Sequence, residues 1–134
     1  MGHAFGSIDG LGEGPGFRKV RQALGVTAFG VNAVVMPPGA EGFLHYHDTQ
    51  DELYLVHRGT ARFEVGEETR DLGPGGLFHV ESTTPRKVSN AGDEELVLFI
   101  VGGKGGYVER DGQLVDPGDL ARRQGIGSSS KPAS

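Results

Sequence analysis

Cysteine is absent from the 134 residues. That excludes disulfides, thiolate metal sites and a cysteine nucleophile. No run approaches the roughly 20 consecutive apolar residues a bilayer-spanning helix requires, so no membrane segment is expected. The stretch from Met1 to Gly10 lacks the basic and apolar regions of a secretory signal. A cytoplasmic location fits these absences. Positive charge is also in short supply, with 13 Lys and Arg against 18 Asp and Glu and a net charge of −5. A nucleic-acid partner is therefore not expected, because phosphate contacts call for a basic face. Hydrophobic residues are only 36% of the chain, but 24 glycines take up much of the missing share. Glycine among β-branched residues suits a fold of many short strands and tight turns.

The pattern along the chain divides it into three parts, with the domain limits set at 1–25, 26–118 and 119–134. The first is an arm and edge strand, in which Phe17, Lys19 and Arg21 alternate with Arg18 and Val20. The second is a barrel. Strands are expected at Val26 to Met36, Phe43 to His47, Glu52 to Arg58, Thr60 to Val65, Leu77 to Val80 and Leu96 to Val101. Thr60 to Val65 alternates Ala61, Phe63 and Val65 against polar neighbours, the period of a half-buried strand. A terminal hairpin is expected around Asp111-Gly112, a dipeptide favoured in two-residue turns. The third part is a tail, partly disordered. Helix formers occur in sequence only from Gly118 to Gln124. Short strands at intervals of roughly 8–12 residues with glycine turns define an all-β sandwich, jelly roll or barrel.

The chemistry gathers at His45-Tyr46-His47. Residues two apart on a strand point to the same face, so the two imidazoles stand side by side. Glu52, five positions beyond His47, would face away on one continuous strand. The polar turn Asp48 to Asp51 breaks that strand and lets Glu52 return on a neighbour, facing the histidines. Two histidines and a carboxylate are a ligand set for Fe, Mn, Ni, Co or Zn. By parity from Glu52, Tyr54 shares its face, whereas His57 faces away. His79 is a strand histidine that could supply a further nitrogen or simply pack. Gln50 and Asp51 could approach the cavity mouth, with a solvated turn as the default assignment.

The stretch Gly39 to Gly59 resembles the first motif of the cupin superfamily, G-x5-H-x-H-x4-E-x6-G, matching at Gly39, His45, His47, Glu52 and Gly59. Gly75 to Asn90 has the length of the second motif, with Gly75 and Asn90 in place. Glu81, Thr83 and Arg86 stand where that motif has Pro, Gly and His. The resemblance, to a small single-domain bacterial cupin of the conserved-barrel type, covers about Val26 to Gly102. It implies a double-stranded β-helix whose two motifs line one pocket, and it suggests a homodimer.

In cupins the histidine of the second motif usually completes a metal set, and here Arg86 stands in that place. Arginine has no lone pair to give a cation. Two readings follow. In one, His45, His47 and Glu52 hold a divalent transition metal, while Arg86, Tyr54 and His79 contact a small anionic or hydroxylated substrate of a dioxygenase, isomerase or lyase. In the other, Arg86 pairs with Glu52 and the barrel binds a small ligand without metal.

Overall fold

The computed structural model of the protein describes residues 2–125. Ten strands form two antiparallel five-stranded sheets that pack face to face. In chain order they are β1 (Gly16–Arg18), β2 (Gly30–Met36), β3 (His45–His47), β4 (Asp51–Arg58), β5 (Ala61–Val65), β6 (Glu68–Leu72), β7 (Leu77–Val80), β8 (Arg86–Asn90), β9 (Leu96–Gly103) and β10 (Gly112–Leu114). One sheet runs β1-β2-β9-β4-β7 and the other β10-β3-β8-β5-β6. This is the all-β jelly-roll architecture expected from the strand spacing. Among the described residues no helix is long and apolar enough to cross a membrane.

Alternation fixes which side chains enter the barrel. On β4, Glu52, Tyr54 and Val56 are buried at 1–2% exposure, whereas the intervening Leu53 is 40% exposed. Ala61 and Phe63 on β5 meet them from the facing sheet, and Leu96, Leu98 and Ile100 on the neighbouring β9 complete the cluster. Tyr54, Phe63 and Phe78 form an aromatic cluster with ring centroids 4.8–5.6 Å apart. This apolar cluster is one contiguous core, and the polar residues on β3 and β4 sit beside it. Gly59 turns the chain from β4 to β5 at φ +83°, and a Cβ there would lie 2.6 Å from the Glu95 carbonyl oxygen. Only glycine satisfies both demands.

Several expected elements differ. The edge strand expected through Arg21 stops at Arg18, and Val20–Leu24 form a short helix, α1. The arm pairs with its own β2 through Phe17↔Val34. The strand expected from Val26 begins at Gly30, and that expected from Phe43 begins at His45. Strands β6 and β8 were not anticipated. The hairpin around Asp111-Gly112 does not form. Instead β10 pairs across with β3 in the register Gly112↔His47 and Leu114↔His45. Within the expected tail a helix, α2 (Gly118–Gly125), is present. It is anchored where Arg123 donates to the carbonyls of Glu41 and Gly42 at 2.6 and 2.9 Å. The disorder expected beyond Gly125 lies outside the described residues.

Candidate metal centre

His45 and His47 stand on β3 of one sheet and Glu52 on β4 of the other, so the centre bridges the two sheets. All three are buried, and one ligand atom from each lies within 4.8 Å of the others. The strand break at Asp48 to Gln50 achieves this by moving the chain from one sheet to the other, as the odd spacing requires.

Each imidazole is oriented by what its Nδ1 meets. His45 Nδ1 lies 2.9 Å from the carbonyl of Phe43. A carbonyl oxygen only accepts, so Nδ1 carries the proton. Burial holds the His45 pKa below its usual value, outweighing the Phe43 bond that raises it. The ring is therefore neutral, with a lone pair on Nε2. His47 Nδ1 donates to Asp111 Oδ1 at 2.8 Å. The other Asp111 oxygen accepts from the backbone N–H groups of Thr49 and Gln50 at 2.6 and 3.1 Å. Burial alone would lower the His47 pKa, but Glu52 and Asp111 together outweigh it and raise it. Among the described residues, both Nε2 atoms are buried without a hydrogen-bond partner; that of His47 has only the ion-pair contact with Glu52 at 3.3 Å, and that of His45 has none. Buried ring nitrogens are normally satisfied. Two that face a shared point beside a carboxylate, each with its Nδ1 tied to an acceptor, have the arrangement of metal-ligating histidines.

Glu52 is held from three sides. Its Oε1 accepts from Tyr54 Oη at 2.9 Å and from Arg86 Nη2 at 2.8 Å, and it lies 3.3 Å from His47 Nε2. Burial would raise its pKa, yet the neighbouring His47 and Arg86 dominate and hold it down to about 2. Arg86 pairs with His45 across the β3–β8 ladder, which brings its side chain to the same interior face. Its Nη1 donates to the carbonyls of Ser82 and Thr84 at 2.8 and 2.9 Å. The guanidinium is 1% exposed and directed at Glu52 and these two carbonyls. It clamps the carboxylate; it does not open toward a ligand. Tyr54 is likewise 1% exposed, with its hydroxyl on Glu52 and its ring in the core.

His79 corrects the expectation placed on it. It pairs with Leu53 on the outer face of its sheet and is exposed, so it reaches neither His45 nor His47. His57 also faces outward, edge-on to Phe99 at 5.9 Å. Two contributors were not recognised in the sequence. Asp111 had been assigned to a hairpin turn, and Gln50 to solvent. Gln50 is instead 4% exposed, with its side-chain amide 3.0 Å from His47 Nδ1. Gly102 makes room for it, since a Cβ there would fall 2.6 Å from Gln50 Oε1. The available signal for Asp111 was a carboxylate that a turn did not strictly need.

Two of the cavities that touch the centre are nearly equal in volume. One, of about 290 Å³, reaches it at Glu52 and Gln50. The other, of about 300 Å³, reaches it at His45 between Met36, Phe43, Val88 and Leu98. Phe17 and Ile100 line both. Each is at the lower end of the size range of small-molecule sites.

Comparison with known proteins agrees with this architecture. The family described as "Cupin domain" matches residues 32–102, more than half of the chain. The chain belongs to the cupin family. It is 27% identical over 65 residues to an uncharacterised protein of Methanocaldococcus jannaschii, a match spanning 48% of this chain and 52% of that protein. Among solved structures it resembles a cupin-superfamily sugar phosphate isomerase from Silicibacter pomeroyi. That likeness has a TM-score of 0.61 and 26% identity, over 66% of this chain and 58% of the other. The chain thus spans little more than half the length of either protein. A cupin protein from Bacteroides fragilis shares the fold more completely, with a TM-score of 0.67 over 82% and 91% of the two chains at 21% identity.

Proposed function

We propose that this cupin binds one divalent transition metal through His45 Nε2, His47 Nε2 and Glu52, and uses it to act on a small hydroxylated or anionic molecule as an isomerase or lyase. The observation that carries this reading is the cluster of two buried Nε2 atoms and the Glu52 carboxylate, with His45 Nε2 left without any partner. Three protein ligands leave coordination positions open, the arrangement of catalytic as opposed to closed structural sites. Bound there, the metal would supply Lewis-acid polarisation of a substrate oxygen. The chain's own residues have distinct parts. Phe43 and Asp111 fix the ring orientations, Arg86 and Tyr54 hold the Glu52 carboxylate ionised and in place, and the flanking cavities admit the ligand. The resemblance to a structure described as a sugar phosphate isomerase supports the substrate class.

A second reading has an observation of its own. Arg86 and Glu52 form a fully buried ion pair at 2.8 Å, which is what a metal-free binding cupin would need to keep the carboxylate charged. That reading leaves His45 Nε2 without a partner, at a cost of about 1–3 kcal/mol for a buried unsatisfied group. The metal reading removes this cost. Elemental analysis of protein purified without chelator decides between them. Near-stoichiometric metal is expected, and His47→Ala should remove it. A wild-type chain that stays metal-free after incubation with Fe, Mn, Co, Ni and Zn in turn would leave the second reading standing.

A further inference from the structure

The two cavities beside the centre are nearly equal in volume but opposite in chemistry. Among the described residues, the one at His45 has no lysine or arginine in its wall. The one at Glu52 has three, Lys19, Arg21 and Arg110, with the amides of Gln22, Asn32 and Gln50 between them. This concentration of cations occurs in a chain whose net charge is −5. Among the described residues Glu52 is the one carboxylate in the cavity wall, and Arg86 already neutralises it. Lys19 and Arg110 are exposed and form no ion pair among the described residues. Arg21 is held with its guanidinium carbon 4.0 Å above the Tyr107 ring, which positions the group, and among the described residues its donors are spent on no carboxylate.

We propose that Lys19, Arg21 and Arg110 form an anion subsite at the mouth of the Glu52 cavity, taking the carboxylate or phosphate of a small hydroxylated molecule whose hydroxyls meet Gln22, Asn32 and Gln50. Its opposite end then lies at Glu52. The three cations come from α1, the residue that precedes it, and the segment before β10. All lie outside the residues 32–102 that match the family. Flanking segments therefore set the ligand preference, and the barrel supplies the centre. Arg86, the arginine singled out in the sequence, is spent on Glu52 and takes no part in holding the anion.

The inference shares the Glu52 cavity with the metal reading but does not require the metal, and one experiment separates them. Titration calorimetry on the protein as isolated uses D-ribose 5-phosphate, D-gluconate and neutral D-ribose as probes, with metal content measured on the same sample. At least one of the two anions should bind about tenfold or more tightly than ribose, as expected when charge-assisted hydrogen bonds are added. Which anion binds tells phosphate from carboxylate. The double variant Lys19→Gln/Arg110→Gln should lose that advantage with its metal content unchanged. Both residues are exposed, so folding is not at risk. In the wild type, anion affinity should also fall steeply as salt rises toward about 1 M, where screening acts within roughly 3 Å. Failure of both anions to exceed ribose, or undiminished anion binding by the double variant, overturns the proposal even if metal is bound. Anion binding by a chain that also stays metal-free after incubation with Fe, Mn, Co, Ni and Zn upholds it and sinks the metal reading alone.

Discussion

Replacing Arg86 with Met tests the electrostatic frame of the centre most directly. The change removes the cation 2.8 Å from Glu52 at a site where both partners are 1% exposed. It also strands the Ser82 and Thr84 carbonyls that Nη1 satisfies. Removing one partner of a buried ion pair costs about 3–5 kcal/mol, because the remaining charge has no compensation. The carboxyl itself gives a second measure. Glu52 is held at about 2 against an ordinary 4.5. At about 1.4 kcal/mol per pH unit the full depression is worth roughly 3 kcal/mol, shared between His47 and Arg86. Arg86 carries only part of this, but the stranded carbonyls add to it, so about 3 kcal/mol, the lower end of the range, is expected for Arg86→Met. The assay is urea unfolding of metal-stripped protein at neutral pH, followed by circular dichroism. Arg86→Met/Glu52→Gln should be less destabilised than the two single changes added, with a coupling of about 2 kcal/mol. The sign with pH is fixed. A depressed carboxyl contributes stability that is complete above its unfolded pKa and is lost as pH falls from about 4.5 toward 2. The gap between wild type and variant should narrow over that window. A variant within about 1 kcal/mol of wild type at neutral pH, or a gap that stays constant down to about pH 3, would refute the argument.

Two further outcomes are expected. Asp111→Asn should weaken metal affinity about 10–100-fold, the usual effect of losing a carboxylate behind a ligating histidine. Competition against a chelator measures it, and wild-type affinity would remove Asp111 from the centre. Gly59→Ala should cost well over 2 kcal/mol, since it adds a 2.6 Å clash with the Glu95 carbonyl to the penalty of φ +83°. Gly39→Ala, at φ +82° with nothing within 4 Å, isolates the conformational part at about 1–2 kcal/mol. Equal melting temperatures for the two variants would show that the close approach at Gly59 carries no energy.

What could be read from the sequence was local. The His45-x-His47 pair and the return of Glu52 follow from strand pitch and one broken strand, both visible within eight residues. Strand β4 was equally plain from its apolar run Leu53 to Val56, although the buried Glu52 and exposed Leu53 reverse the usual polar-out pattern. Strand β6, Glu68–Leu72, was not visible. Its residues are polar and largely exposed, so it shows no alternation. Strand β8 was hidden for the opposite reason. Arg86, Ser89 and Asn90 are polar yet buried, and a buried polar residue reads as a surface position until its partner is known. Asn90, for example, donates to the carbonyls of Met36 and Glu94. Asp111-Gly112 misled because local turn preference gave way to a long-range demand. The Asp111 carboxylate lies 64 residues from His47 in sequence and 2.8 Å away in space. Its neighbour Gly112 is held in the ladder opposite that same histidine. His79 was placed near the pocket by its position along β7, but strand parity, through its partner Leu53, turns it outward.

The arginine at the position of a fourth ligand fits this picture once charges are counted around the centre. Glu52 and Asp111 each bring one negative charge, and a bound divalent ion would balance the two. Arg86 adds a further positive charge, buried where water cannot screen it, but its donors are spent on Glu52 and on the Ser82 and Thr84 carbonyls. The arginine therefore keeps the carboxylate ionised and takes no direct part in binding a ligand. Selection by charge falls instead to Lys19, Arg21 and Arg110 in the wall of the Glu52 cavity, from which a neutral ligand would gain nothing.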